Sequence, residues 1–180
     1  MNDFLPDIFP GRIILVTSTS HSPSKGVMAD IAARLALIGP VVIIDGGNSF
    51  DAYRIARSIR SHTNELKAAL QRIQIARAFT CYQIVALLAQ TPTTASPKLI
   101  LDLLTNFYDE DIPVAECSRL LQESIQHIRR LSQLAPVIIS AKIPRIEQPE
   151  RQPLFEQLQD ISKTVFIWGQ PEIQPALKLF

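Results

Sequence analysis

The sequence has few cysteines, no excess charge of either sign and no long apolar run, and each absence excludes a class of protein. Only Cys81 and Cys117 occur, without a C-x-x-C pair or clustered histidines, so we expect two reduced thiols rather than a disulfide framework or a metal site. The formal net charge is +1, so no overall field attracts nucleic acid. The apolar runs fall far short of the ~20 residues of a membrane span, so we expect no membrane partner.

The N-terminus also lacks the marks of a secretory signal. MNDFLPDIFPG has neither a basic start nor an apolar core, and the sequence therefore predicts a cytoplasmic protein. A chain of 180 residues is long enough for one domain with a full core, and we predict a single domain over residues 1–180. Its hydrophobic content of 47% favours a buried sheet covered on both faces, or a surface reserved for a partner.

Strand-like and helix-like segments alternate along the chain. Unbroken β-branched and leucine runs at Ile13–Thr17 and Val41–Ile44 predict buried parallel strands, joined by a helix that buries Ile38 and ends at Gly39. Further strands are predicted at 73–78, 99–103, 137–140 and 165–168, and further helices at 50–61, 64–71, from 80, at 117–134 and at 154–161. Thr63 and Thr80 are the predicted caps of two of these helices. The alternation predicts an α/β three-layer sandwich with a mostly parallel central sheet, a mobile loop at 142–153 and a C-terminal tail at 169–180.

The turn after the first strand lies where a phosphate-binding loop would be expected. The frame G-x-x-x-x-G-K-[ST] falls on Thr19–Gly26, and only Lys25 fits it. Neither glycine is present, Pro23 removes an N–H donor, and Gly26 replaces the magnesium-binding hydroxyl. A tight phosphate nest is therefore not predicted.

Polar residues also follow the other central strands. Because the carboxyl ends of parallel strands meet at one edge of a sheet, we expect Thr17–Ser22, Asp45–Asn48 and Asp102 to converge on one cleft.

Four stretches carry a resemblance to a known family: DIFPGRIILVTS, VVIIDGGNSFDAYRIAR, LQRIQIARAFTCYQ and KLILDLLTNFYDED. Together they resemble the ATPase core of the RecA/RadA recombinases, which are P-loop NTPases, over about residues 4–145. The resemblance implies a RecA-like fold, and it matches Asp102 to the acidic residue that holds magnesium through water. The position of the family's water-activating Glu matches Gly47, so the resemblance does not supply a general base.

What the resemblance implies for function is a domain that has lost its chemistry. Phosphoryl transfer needs the loop, lysine, magnesium and water-orienting residue together, so we expect no enzyme activity and no resident cofactor. The degenerate nucleotide site would consist of the residues that match the family's positions: Ser20, Ser22, Ser24, Lys25, Gly26, Asp45 and Asp102. The first hypothesis is a binding or assembly subunit in DNA recombination or repair, with a homo-oligomer or a RecA-like protein as its partner. The second is a weakly active ATPase that uses ATP and Mg²⁺ with an atypical loop.

A third hypothesis is sequence-independent DNA binding. Arg54, Arg57 and Arg60 form a predicted stripe, and residues 54–77 carry six basic residues against one acidic residue. Residues 108–123 carry five acidic residues against one arginine, which predicts a poor surface for a phosphate backbone. The opposite patches also suit self-association or a partner of complementary charge.

Overall fold

The computed structural model describes residues 9–18 and 24–168. In this part of the chain six strands form one sheet in the order β3-β2-β4-β5-β1-β6, and every pair of neighbours is parallel. The strands are β1 Ile13–Ser18, β2 Val41–Asp45, β3 Ile73–Arg77, β4 Lys98–Leu101, β5 Val137–Ser140 and β6 Thr164–Trp168.

Helices cover both faces of this sheet. They are α1 Ser24–Ile38, α2 Ala52–Arg60, α3 Leu66–Gln71, α4 Cys81–Gln90, α5 Val114–Ser132 and α6 Gln152–Ile161, with 3₁₀ turns at Thr105–Tyr108 and Pro149–Arg151. Helices α1, α2 and α3 pack on one face, and α4, α5 and α6 pack on the other. The predicted fold class, an α/β three-layer sandwich with a parallel sheet of the RecA-like kind, is confirmed.

Two apolar cores result from the alternation of side chains along the strands. In β1, Ile13 and Leu15 belong to the core under α4–α6, whereas Ile14 and Val16 belong to the core under α1–α3. Both faces of the central strands are therefore apolar, as the unbroken β-branched runs predicted. Burial of each of these aliphatic side chains contributes about 1.5–3 kcal/mol to the free energy of folding. The helices depend on this burial, because none of them would be stable without packing on the sheet.

Side-chain caps fix two of the helix starts. The carboxylate of Asp51 accepts the backbone N–H of Arg54 at the start of α2, and the hydroxyl of Thr80 accepts the N–H of Gln83 at the start of α4. The return bond of α4 departs from the capping-box pattern, because the Gln83 amide oxygen accepts from Phe79 rather than from Thr80. These caps fix the direction in which each helix leaves the carboxyl edge of the sheet.

Four local predictions were wrong. Strand β4 ends at Leu101, so Asp102 lies after the strand, in the left-handed region with φ +48°. Helix α5 begins at Val114 rather than at 117, directly after Pro113, whose fixed φ suits a helix boundary. Ile38 is the last residue of α1 and is 81% exposed rather than buried. Thr63 does not cap α3; its hydroxyl accepts the N–H of Glu65, the residue immediately before that helix.

The segment predicted to be a mobile loop carries a buried arginine. The guanidinium of Arg151 donates to the carbonyl oxygens of Phe107, Asp109 and Ile112 at 2.6–2.8 Å, and it lies 3.1 Å from the sulfur of Cys117. Only 3% of Arg151 is exposed. One cation thus satisfies the carbonyls of the turn between β4 and α5, and it ties that turn to the start of α6.

We predict that Arg151→Ala destabilises the protein by about 3 kcal/mol, because the substitution leaves buried carbonyl oxygens without donors. Urea unfolding measures the loss. Arg145→Ala, at an exposed position of the same segment, is the matched control and should change stability by less than about 0.5 kcal/mol. Equal effects of the two substitutions would contradict an anchoring role for Arg151.

Candidate functional site

The predicted site residues lie at the carboxyl edge of the sheet wherever the structure describes them. The pairing of β2 with β4 sets Asp45 opposite Leu101, and the pairing of β4 with β5 sets Ile100 opposite Ile139. Asp45 and Ser140 therefore end their strands and Asp102 directly follows β4, at the ends of three adjacent strands. Ser20 and Ser22 lie outside the described residues. Ser24, Lys25 and Gly26 form the first residues of α1.

Asp45 is fully buried, and its carboxylate is satisfied by its own chain. Oδ1 accepts the backbone N–H of Ser49 at 2.9 Å, and Oδ2 accepts that of Phe50 at 3.1 Å. The Nε–H of Arg77, at the end of β3, donates to Oδ2 at 3.1 Å. Asp45 thus holds the turn before α2 and faces β3, and its oxygens are already engaged.

Asp102 is the second buried carboxylate at this edge, and it is incompletely satisfied. The Ser140 hydroxyl accepts the backbone N–H of Asp102 at 2.8 Å and donates to Oδ1 at 3.3 Å. Oδ2 is buried and has no hydrogen-bond partner. A buried unpaired carboxylate oxygen on a residue with positive φ is costly, and such features concentrate at functional sites.

A lysine supplies the charge opposite Asp102. The Nζ atom of Lys142 lies 3.7 Å from Asp102 Oδ2, close enough for an ion pair but too far for a hydrogen bond. The hydroxyl of Tyr108 donates to the backbone carbonyl of Lys142 at 2.9 Å. Burial raises the pKa of Tyr108, which keeps this hydroxyl protonated and able to donate.

Gly47, the position matched to the family's catalytic Glu, has no room for a side chain. A Cβ built there would lie 2.4 Å from the Cβ of Asp102 and 3.1 Å from the hydroxyl oxygen of Thr105. Contacts under 3.0 Å require a shift of the surrounding backbone. A hydrogen bond also holds the turn after β2, because the Asn106 side-chain amide donates to the carbonyl of Gly46 at 2.6 Å. The close approach of this turn to Asp102 therefore requires glycine.

The cavity beside Asp102 is small. It measures about 10 Å³, room for about one water molecule, and is lined by residues of α1, the turn before α2 and the strand ends, among them Met28, Ala29, Ser49, Asp102 and Ser140. Residues of α1 and Asp102 thus line one cavity, whereas residues 19–22, which the sequence predicted to share a cleft with Asp102, lie outside the described residues. Asp45 does not line this cavity.

The three arginines of α2 are all exposed, but they have different surroundings. The guanidinium of Arg54 lies against the first turn of α1, where a Cβ on Gly26 would be 3.1 Å from its Nη1. Arg57 and Arg60 instead share an outward face with Tyr53, at spacings of four and three residues, opposite the buried Ile55 and Ile59. Within the described residues neither Arg57 nor Arg60 forms an ion pair.

The acidic segment satisfies several of its own charges. Arg119 pairs with both Glu116 and Glu123 along α5, and the Gln148 amide donates to Glu110 at 2.8 Å. The Arg119 guanidinium lowers the pKa of Glu116, so this pair persists well into the acidic range, although it is exposed and of low energy. Two of the five acidic side chains are therefore engaged by Arg119, while the net charge of residues 108–123, one arginine minus five acidic residues, stays at −4.

The described residues at this edge do not supply a magnesium–nucleotide site. Mg²⁺ prefers near-octahedral oxygen ligands and retains several waters, whereas Asp45 is engaged and Asp102 Oδ2 is covered and faced by an ammonium group. In the described residues no three His, Cys, Asp or Glu side chains cluster to hold a metal. Within the same ranges, no helix is both long and apolar enough to cross a bilayer.

Sequence reasoning missed Ser140 and Lys142 as members of the site. Ser140 could have been found, because it ends a predicted strand at the same edge as Asp102. The pairing of Lys142 with Asp102 has no local signal, since the two residues are brought together only by the neighbouring positions of β4 and β5.

We predict that Gly47→Ala costs about 1–3 kcal/mol of stability, the usual cost of forcing a methyl group into a packed site. Gly39→Ala is the matched control, because a Cβ at Gly39 meets no atom within 4 Å. Gly47→Ala combined with Asp102→Gly should recover part of the loss, since the second change removes the clashing Cβ and the strain of a positive φ. Urea unfolding measures all of the variants, and additive effects would contradict the contact.

No protein-family model and no curated protein matches this sequence. A proposal about function therefore depends on the residues of the strand ends and on the resemblance of the sequence.

Proposed function

We propose that this protein is a RecA/RadA-like domain that does not hydrolyse ATP and acts as a binding or assembly subunit. The family is proposed from the four stretches of sequence given above, with which the parallel sheet is consistent. The observation that carries the loss of activity is the ion pair of Asp102 with Lys142, because a side chain of the protein supplies the positive charge that a metal would bring.

Apart from Lys25, which fits the phosphate-loop pattern, the elements that ATP hydrolysis needs are missing or engaged in this chain. Phosphoryl transfer depends on a phosphate nest, a metal and a residue that orients water, all positioned together. The sequence lacks the glycines of the nest, Gly47 has no space for a water-orienting side chain, and Asp45 and Asp102 are both neutralised by cations of the same chain. Losing any one of these would slow the reaction severely.

We predict that millimolar Mg-ATP or Mg-ADP does not raise the melting temperature of the purified protein. A ligand at about 100 times its dissociation constant would add roughly 2.7 kcal/mol to the folded state, which is a readily measured shift. Lys25→Ala is the matched variant, since only Lys25 fits the phosphate-loop pattern. A shift in the wild type that is lost in Lys25→Ala would instead favour the weakly active ATPase, with Lys25, Asp45 and Asp102 as its residues.

The proposed assembly role is supported by the two edges of the sheet. Strands β3 and β6 are the outer strands of the described sheet, and each carries an exposed isoleucine, Ile75 (43% exposed) and Ile167 (46% exposed). Edge strands with apolar exposed side chains readily pair with another chain unless charge or a covering element prevents it. At β3 the nearest charge is directed inward, because Arg77 binds Asp45.

We predict that Ile75→Lys weakens self-association, because a lysine on an edge strand opposes strand pairing. Analytical ultracentrifugation over a range of protein concentrations measures the association. Ile38→Lys is the matched control, since Ile38 is exposed at the end of a helix rather than on an edge strand. A wild type that stays monomeric at all concentrations, or equal effects of the two substitutions, would remove the support for assembly through β3.

A part in DNA recombination or repair, and a cytoplasmic location, remain predictions from the sequence. Direct DNA binding is the competing function, and the outward face of Tyr53, Arg57 and Arg60 is what favours it. Such binding would weaken steeply with salt, and it would fall when Arg57 and Arg60 are replaced.

A further inference from the structure

The carboxylate of Asp102 has one oxygen that the protein leaves without a hydrogen bond. The Ser140 hydroxyl donates to Oδ1, whereas Oδ2 is buried and has no donor within hydrogen-bond distance. The side chain of Asp102 is only 2% exposed, so bulk water does not solvate this charge. A buried carboxylate in this state needs a nearby positive charge, because removing it from water costs several kcal/mol.

Lys142 provides that charge from a fixed point of the backbone. Its carbonyl is bound by the Tyr108 hydroxyl, and it follows β5 by two residues, next to the strand that ends before Asp102. The remaining 3.7 Å between Nζ and Oδ2 leaves no space for a hydrated ion between them. The lysine side chain is 54% exposed, so it approaches Asp102 from the solvent side.

We infer that Lys142 is a tethered counter-ion of Asp102 that keeps divalent cations out of this strand end. A divalent cation would have to displace the ammonium group or bind beside it, against the repulsion of like charges. The sequence retains the acidic residue, but the lysine takes the role of its cation. Removal of the lysine charge should therefore open a cation site at Asp102, assisted by the Ser140 hydroxyl.

This inference deepens the proposed loss of ATP hydrolysis but is tested without nucleotide. The two can fail separately, since Mg-ATP binding reports on the proposed function and binding of the metal alone reports on Lys142.

The experiment titrates Mn²⁺ into the wild type, Lys142→Met and Lys142→Arg, with electron paramagnetic resonance as the readout of free metal. Mn²⁺ is a suitable probe, because it prefers carboxylate, hydroxyl and water oxygens. We expect Lys142→Met to bind Mn²⁺ about tenfold tighter than the wild type. The factor is no larger because water screens the charge of the half-exposed lysine. Lys142→Arg keeps the charge and should behave as the wild type does.

Two further variants test whether the added Mn²⁺ affinity depends on Asp102 and on Lys142 specifically. Asp102→Asn combined with Lys142→Met should lose the added affinity, and Lys67→Met, which removes an exposed lysine of α3, should not gain it. Circular dichroism shows whether each variant is folded, and Lys142→Gln replaces Lys142→Met if the latter is not. The inference is overturned if the charge-removing variant binds Mn²⁺ no more tightly than Lys67→Met. It is equally overturned if the wild type already binds Mn²⁺ through Asp102.

Discussion

The burial of a parallel sheet on both faces is the constraint on which this structure depends. A strand with apolar side chains on both sides is stable only between two layers of helices, and β1, β2, β4 and β5 are strands of this kind. The helices in turn need the sheet, because each buries its apolar face against it. Because the strands are parallel, their carboxyl ends all lie at one edge of the sheet. The polar residues that connect strands to helices can therefore meet at that edge.

At that edge the physical problem is the neutralisation of two buried carboxylates. Asp45 is satisfied by two backbone amides and Arg77, and Asp102 by Ser140 and the ammonium group of Lys142. Nucleotide-binding edges of parallel sheets leave such charges for a ligand and its metal. Here the chain supplies its own cations, and the cavity beside Asp102 holds about one water molecule. The edge therefore has the form of a ligand site with its charges already paired.

The surfaces left open are of a different kind. The outer strands of the described sheet carry exposed isoleucines, and one face of α2 carries arginines without acidic partners among the described residues. Both features suit contacts with another macromolecule better than contacts with a small molecule. A domain with an internally paired strand-end site and open edges is consistent with a role in binding or assembly.

The sequence alone determined the layers, the parallel sheet and the position of most elements, because long β-branched runs and helical spacing are local signals. It also placed Asp45 and Asp102 at one edge, since strand ends converge in any parallel sheet. Tertiary structure decided what these residues do. Arg77 lies on β3 and Lys142 follows β5, so both partners come from other segments of the chain, and the anchoring by Arg151 joins residues about forty positions apart. Such contacts depend on distances between elements, which no local pattern of residues encodes.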